Sequence, residues 1–195
     1  MCIRDRAKNI KREVIEWAAF LLIGTSLYIT DYHTEVIGFL QRIILNTGVV
    51  KPTENEDTIL ADYNLLLEDL EGNAQTLSDW KGKPIFLNFW ATWCPPCIAE
   101  MPDIDKLYQL VNKEVHFAII SVDEDREKAK RFARRKGFDF PIYFIKSRLP
   151  QVYEHNAIPT TYVIDYQGQI VISQRGMAKY SSHEFITYLG ELKFH

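Results

Sequence analysis

Two cysteines, Cys94 and Cys97, stand two residues apart in the run Trp90-Ala91-Thr92-Trp93-Cys94-Pro95-Pro96-Cys97. Thiols at this spacing lie one helical turn apart on one face, so they can close into a disulfide and reopen, passing two electrons each time. The surrounding residues decide which sulfur acts first. Upstream lies Pro84-Ile85-Phe86-Leu87-Asn88-Phe89-Trp90-Ala91, an almost unbroken apolar run of the kind that forms a strand covered on both faces. Downstream, Pro95 suits the first position of a helix, where its missing N–H is no loss. Cys94 is thereby predicted at a helix N-terminus, where unsatisfied amides and the positive end of the helix dipole favour thiolate over thiol. That makes Cys94 the attacking sulfur and Cys97 the one placed to resolve a mixed disulfide.

The elements that must hold this strand–helix junction alternate along the chain. A strand at 63–67 is expected to end at the Glu71-Gly72 turn, and a short turn at 77–80 leads into the central strand at 84–91. A helix at 95–111, a strand at 115–122, and a basic helix capped by Asp123 and closed by Gly137 follow. Then come a strand at 141–145, a short helix at 149–154, and strands at 160–164 and 169–173 joined through Tyr166-Gln167-Gly168. A last helix is read from Ser181, with Glu184 completing a capping box and Phe185, Leu189 and Leu192 on one face. This βαβ rhythm predicts an α/β fold with a parallel core.

The strand-then-WCPPC junction, together with Ile158-Pro159-Thr160 ahead of a later strand, resembles the thioredoxin superfamily over 61–195. More narrowly, Trp93 to Pro102 reads W-C-x-P-C-x-x-E-x-P and resembles the membrane-anchored TlpA/ResA-type thiol:disulfide oxidoreductases. The resemblance implies a thioredoxin-like fold, a central mixed sheet flanked by helices, with a helix–strand insert at about 124–145. It implies Cys94 as nucleophile, Cys97 as resolving thiol and Pro159 as a cis-proline, with Trp93, Pro95, Pro96, Ile158, Pro159 and Thr160 forming the surface that meets substrate. It also implies no bound cofactor. A glutamate in the position of Glu100 is associated in that family with tuning the cysteines, and Glu100 is expected to relay the proton of Cys97. Asn88 departs from plain thioredoxin, where a titratable Asp occupies the central strand, which shifts the proton-handling role toward Glu100. The implied partners are exported proteins bearing cysteine thiols or disulfides, with apocytochrome c among them, and a membrane-embedded protein that recharges the pair. His155-Asn156-Ala157-Ile158-Pro159 lacks the Gly-Val-x-Gly-x-Pro approach of dedicated cytochrome-maturation relatives.

The N-terminal quarter reads differently. Residues 1–13 are a basic segment, of which Met1 to Arg6 is set aside as a possible scar and Cys2 has no counterpart. Residues 14–30 are expected as a membrane-spanning anchor, charge-free from Trp17 to Ile29 and flanked by Trp17, Tyr28 and Tyr32. The basic side places the N-terminus in the cytoplasm and everything after Asp31 on the far side, in a bacterium the periplasmic or extracytoplasmic face of the inner membrane. Residues 31–51 carry Val36, Phe39, Leu40, Ile43 and Ile44 at helical spacing and are expected to lie on the membrane surface. Residues 52–60, polar and Pro-bearing, are expected as the linker to the domain at 61–195.

Composition excludes several alternatives. The chain of 195 residues is 47% hydrophobic and 25% charged, a globular balance, and its three cysteines are too few for a disulfide scaffold. The net charge of −3 is the sum of +2 up to Lys51 and −5 from Pro52 onward, so the folded part is mildly acidic, against a nucleic-acid partner. The densest basic run, from Lys128 to Lys136, alternates with Ala129, Phe132 and Ala133 and is expected as the solvated face of a helix. The competing reading is a metal-binding or copper-delivery module on Cys94 and Cys97, for which His155 is the one suggestive third ligand.

Overall fold

Six consecutive residues with no solvent-exposed face, Ile85–Trp90, form the central strand of the molecule. The computed structural model describes residues 3–29, 32–46, 52, 55 and 58–192, with side chains described at 13–26, 34–45, 52, 55 and 58–192. Its helices are α1 (Ile3–Ile29), α2 (Tyr32–Asn46), α3 (Pro95–Val111), α4 (Arg126–Lys136) and α5 (His183–Glu191). The strands are β1 (Leu66–Asp69), β2 (Ala74–Thr76), β3 (Ile85–Trp90), β4 (His116–Ser121), β5 (Ile142–Ile145), β6 (Thr160–Ile164) and β7 (Ile170–Arg175).

The seven strands form one mixed sheet in the order β2-β1-β5-β4-β3-β6-β7. β3, β4 and β5 run parallel; β6 pairs antiparallel with β3 and β1 with β5, and the outer strands β7 and β2 pair antiparallel with β6 and β1. The segment expected as an insert, α4 with β5, places β5 between β4 and β1. Strand alternation divides the core. Phe86 and Trp90 face the layer that holds Cys97, Met101, Ile104 and Phe185, whereas Ile85, Leu87 and Phe89 face Leu77, Tyr153 and Tyr162. Asn88 has the same parity as Phe86 and Trp90, so the only polar side chain of β3 points toward α3.

Several local expectations change. β1 starts at Leu66 rather than residue 63, because Asn64 N–H turns back onto the Asp62 carboxylate at 2.8 Å, and the short β2 pairs with it across the turn at Gly72. The cap of α4 is Asp125, which accepts from the N–H groups of Glu127 and Lys128, while the Asp123 carboxylate is held elsewhere. Ser182, not Ser181, caps α5, since Asp103 takes both the N–H and the hydroxyl of Ser181. The described residues of the expected linker lie along β7: Asn55 N–H donates to Val171 O at 2.8 Å, and Ile170 N–H to Ile59 O at 2.7 Å.

The expected span at 14–30 is helical within α1 as far as Ile29, but among the described residues no helix is long and apolar enough to cross a membrane. Trp17 to Ile29 rises only about 20 Å at ~1.5 Å per residue, short of a hydrocarbon core of about 30 Å. Residues 1, 2, 30, 31 and 47–51, with the boundaries expected there, lie outside the described residues, as do the side chains of the basic segment through Arg12. Helix α2 covers 32–46 of the segment expected on a membrane surface, and it packs on α3, with Gly38 against Pro95 and Ile98; Thr34, Gly38 and Leu45 are buried. Its apolar stripe faces outward.

Candidate active site

β3 delivers the chain to the site, and the turn after it is braced from β4. The Asp123 carboxylate accepts from Thr92 N–H at 3.0 Å, from the Thr92 hydroxyl at 2.6 Å and from the Ser121 hydroxyl at 2.8 Å. Cys94 N–H closes the turn on Ala91 O at 3.2 Å. Helix α3 then begins at Pro95 with Cys94 as its N-cap residue.

Cys94 and Cys97 are joined in a disulfide with Cα atoms 5.3 Å apart. The backbone N–H of Cys97 donates to the Cys94 sulfur at 3.3 Å. One of the orphan amides at the start of α3 is thus directed at Cys94, the arrangement that stabilises negative charge on that sulfur once the disulfide opens. Cys94 retains 4% of its surface in solvent and Cys97 none, so an incoming sulfur reaches Cys94.

The second wall is the approach to β6. The Ile158–Pro159 peptide is cis, and the Ile158 carbonyl oxygen lies 3.7 Å from the Cys94 sulfur, within reach of a Cys94 thiol proton in the reduced form. Trp93 is 56% exposed beside the pair, and Pro95, Pro96 and Ile158 are partly exposed, so four of the six residues expected to meet substrate present surface there. Pro159 and Thr160 do not. Thr160 is 1% exposed and its hydroxyl donates to Ala157 O at 2.7 Å, a bond internal to the turn. His155, the suggestive metal ligand, packs with its ring tilted against Phe89 and hydrogen-bonds with Tyr153 O, and among the described residues no group of three or more His, Cys, Asp or Glu is placed to hold a metal.

Glu100, one turn beyond Cys97 on α3, has no solvent exposure. Asn88 donates to one carboxyl oxygen at 2.9 Å and Ala178 N–H to the other at 3.2 Å. Burial pushes its pKa up to about 8, against the lowering effect of those two donors, with the nearby charge of Asp103 adding a smaller upward push. Asn88 also donates to the Thr161 hydroxyl at 2.9 Å, and the Tyr180 hydroxyl donates to the same oxygen at 2.7 Å. Burial holds the Tyr180 phenol well above its ordinary value. A connected polar chain therefore runs from the active-site helix through β3 and β6 to the segment before α5.

Sequence reading did not find Thr161, Tyr180, Ala178 or the Asp123 brace. The parity of Asn88 on an otherwise apolar strand was the available signal, since a buried amide needs polar partners.

The Redoxin family's sequence pattern matches residues 54–185. The thiol-disulfide oxidoreductase ResA of Geobacillus kaustophilus is 38% identical over 170 residues, spanning 86% of this chain and 87% of that protein. The pneumococcal exposed lipoprotein thioredoxin of Streptococcus pneumoniae superposes with a TM-score of 0.54 at 26% identity, over 65% of this chain and 97% of its own. A thioredoxin-family thiol:disulfide interchange protein of Chlorobium tepidum superposes with a TM-score of 0.60 at 24% identity, over 69% and 97% of the two chains, a likeness of fold.

Proposed function

The chain belongs to the Redoxin family and is a thioredoxin-like thiol:disulfide oxidoreductase, and from that premise we propose that it reduces cysteine pairs of exported proteins on the outer side of a membrane. The observation that carries the reading is the amide of Cys97 aimed at the Cys94 sulfur, with the buried Glu100 one turn further along the same helix.

In the reduced protein the Cys94 thiolate attacks one sulfur of a substrate disulfide. The substrate S–S bond breaks, a substrate thiolate leaves, and Cys94 is held in a mixed disulfide. Cys97 then gives up its proton and attacks the Cys94 sulfur. The Cys94–Cys97 disulfide forms, the second substrate thiolate departs, and two electrons have moved to the substrate. The ionised fraction of Glu100 accepts that proton at little cost, because its pKa of about 8 lies close to the ordinary thiol value of about 8.5, and this fraction grows as the pH rises toward 8. Trp93, Pro95, Pro96 and Ile158 supply the surface against which the substrate chain lies.

The exposed apolar side chains of α1, among them Trp17, Phe20, Leu21, Leu22 and Ile23, support attachment of the N-terminal part to a membrane. A membrane-embedded electron-transfer protein is the matching source of electrons. The name of the pneumococcal neighbour, an exposed lipoprotein, supports the same side of the membrane. Haem-site thiols of apocytochrome c are the substrate class we put forward first.

Cys97→Ser tests the reading. It removes the resolving sulfur, so substrates remain covalently on Cys94 and are recovered by non-reducing electrophoresis. Recovery of exported proteins with paired cysteines supports the proposal, and an equal yield from Cys94→Ser defeats it.

A further inference from the structure

The helix that covers the active-site helix is turned the opposite way from an ordinary surface helix. Its inner face, Thr34, Gly38 and Leu45 at helical spacing, is small or polar for most of its length. Its outer face presents Val36, Ile37, Phe39, Leu40, Ile43 and Ile44, each between 44% and 65% exposed. Monomers in water seldom leave a contiguous apolar patch larger than roughly a few hundred Å².

The inner contact is close. A Cβ built on Gly38 would stand 2.9 Å from the Pro95 carbonyl oxygen and 3.4 Å from Ile98, so α2 rests directly on the first turn of α3, the turn that begins at Cys94. Glu35 pins the other end of α2, pairing with Arg135 and, at 2.6 Å, with Lys136 of α4. Cations gather beside the N-terminal end of α2, where Arg131 and Arg135 line a cleft with Thr34 and Glu35 and Lys136 pairs with Glu35, and Arg42 is exposed on α2 itself. In the chain, α2 follows α1 after two residues, and α1 carries exposed apolar side chains around its circumference from Trp17 to Ile23. An uncharged run too short to span needs a further apolar seat to hold the chain at a membrane.

We propose that α2 is a membrane mount for the redox site: its outer face lies in the interface of an anionic lipid bilayer, and its inner face carries the first turn of α3. Cys94 is then held within about one helix diameter, ~10 Å, of the lipid surface. The proteins served from there present their cysteines at the membrane face rather than in free solution. The mount rests on the membrane-side reading above and adds to it the height and orientation at which the pair works. Apolar burial supplies the adhesion and headgroup charge the lateral preference, as for other interfacial helices.

The test uses the full chain in vesicles of phosphatidylcholine with and without phosphatidylglycerol, carrying a dansyl-labelled headgroup. In a Trp17→Phe background Trp93 is the exposed indole, since Trp80 and Trp90 are buried, and subtraction of a Trp93→Phe sample isolates its energy transfer to the headgroup. The mount predicts strong transfer that is greater with phosphatidylglycerol. Phe39→Ser combined with Ile43→Ser should lower transfer severalfold while leaving reduction of the Cys94–Cys97 disulfide by a soluble dithiol unchanged; Leu40→Asn is the second variant. Gly38→Val should leave the chain on the vesicles and still lower transfer, because it lifts α3 off α2. Unchanged transfer in the apolar-face variants, or Phe39→Cys cross-linking quantitatively to a second copy, overturns the mount. Equal transfer in both lipids removes its anionic component. Absence of dithiol exchange in the parent chain would defeat the redox function instead and leave the transfer result standing.

Discussion

The Asn88 amide donates to the Glu100 carboxyl at 2.9 Å, joining the central strand to the helix of the redox pair where neither side chain meets solvent. A plain carboxylate on a helix surface would titrate with bulk water. This one is held in its neutral form near pH 7 by burial and reaches outward only through amide and hydroxyl partners.

Replacing Glu100 with Gln removes a titration and little volume. In the folded chain Glu100 keeps its proton up to about pH 8, whereas unfolded it releases it near 4.5. Between those values the folded state binds the additional proton, so this group's contribution to stability is complete below about 4.5 and is lost as the pH climbs through about 8. Urea denaturation across that interval should show the parent losing stability with rising pH and Glu100→Gln following a flatter curve. The rate at which Cys97 resolves a mixed disulfide, followed by stopped flow, should lose its inflection near pH 8 in the same variant.

Asn88→Ala withdraws a donor from Glu100 and from Thr161. One Glu100 carboxyl oxygen then lacks its donor, while Thr161 keeps the Tyr180 hydroxyl, at a cost of about 1–3 kcal/mol, read from the denaturation midpoint. The Asn88 bond lowers the Glu100 pKa, so its loss moves the inflection of the resolving step to higher pH. An inflection that stays in place would show that Asn88 does not govern this proton.

Asp123→Ala frees the turn before the nucleophile. The Thr92 N–H and hydroxyl and the Ser121 hydroxyl share that carboxylate, and a buried N–H left unpaired costs about 1–3 kcal/mol. Alkylation of reduced Cys94 should slow because the amide geometry at the start of α3 is no longer held. Asp123→Asn, which keeps one acceptor for Thr92, should recover part of both losses.

Glu35→Lys turns the two ion pairs that fasten α2 to α4 into repulsions. Hydrogen exchange over 34–45 should accelerate about tenfold or more while protection in β3 and β4 stays as it was. Equal exchange in parent and variant would mean that the Gly38 contact alone holds the helix.

How much of this was legible follows from how local each feature is. The β3–α3 junction needed only neighbours in sequence: an apolar run, a cysteine, then a proline whose ring fits the first turn of a helix. The caps were misplaced where distant residues compete for them. Asp123 does not cap α4 because Thr92 occupies it, and Ser181 does not cap α5 because Asp103 holds its N–H and hydroxyl, leaving the cap to Ser182. The apolar stripe of α2 was readable, yet its packing against α3 through the opposite side depends on Gly38 meeting Pro95, residues far apart in the chain.

By itself the amino-acid order determined the alternating α/β elements, the cysteine pair and the place of Cys94 at a helix start, because strand burial, helix starts and dipole effects arise within a few residues. The tertiary structure alone decided that Glu100 is buried, which donors it has and what lies across Cys94. Those contacts appear only when the sheet order places β3 beside β6 and brings the segment before α5 over the active-site helix. Desolvation and hydrogen-bond supply depend on everything packed around a group, and no spacing rule along one chain carries that information.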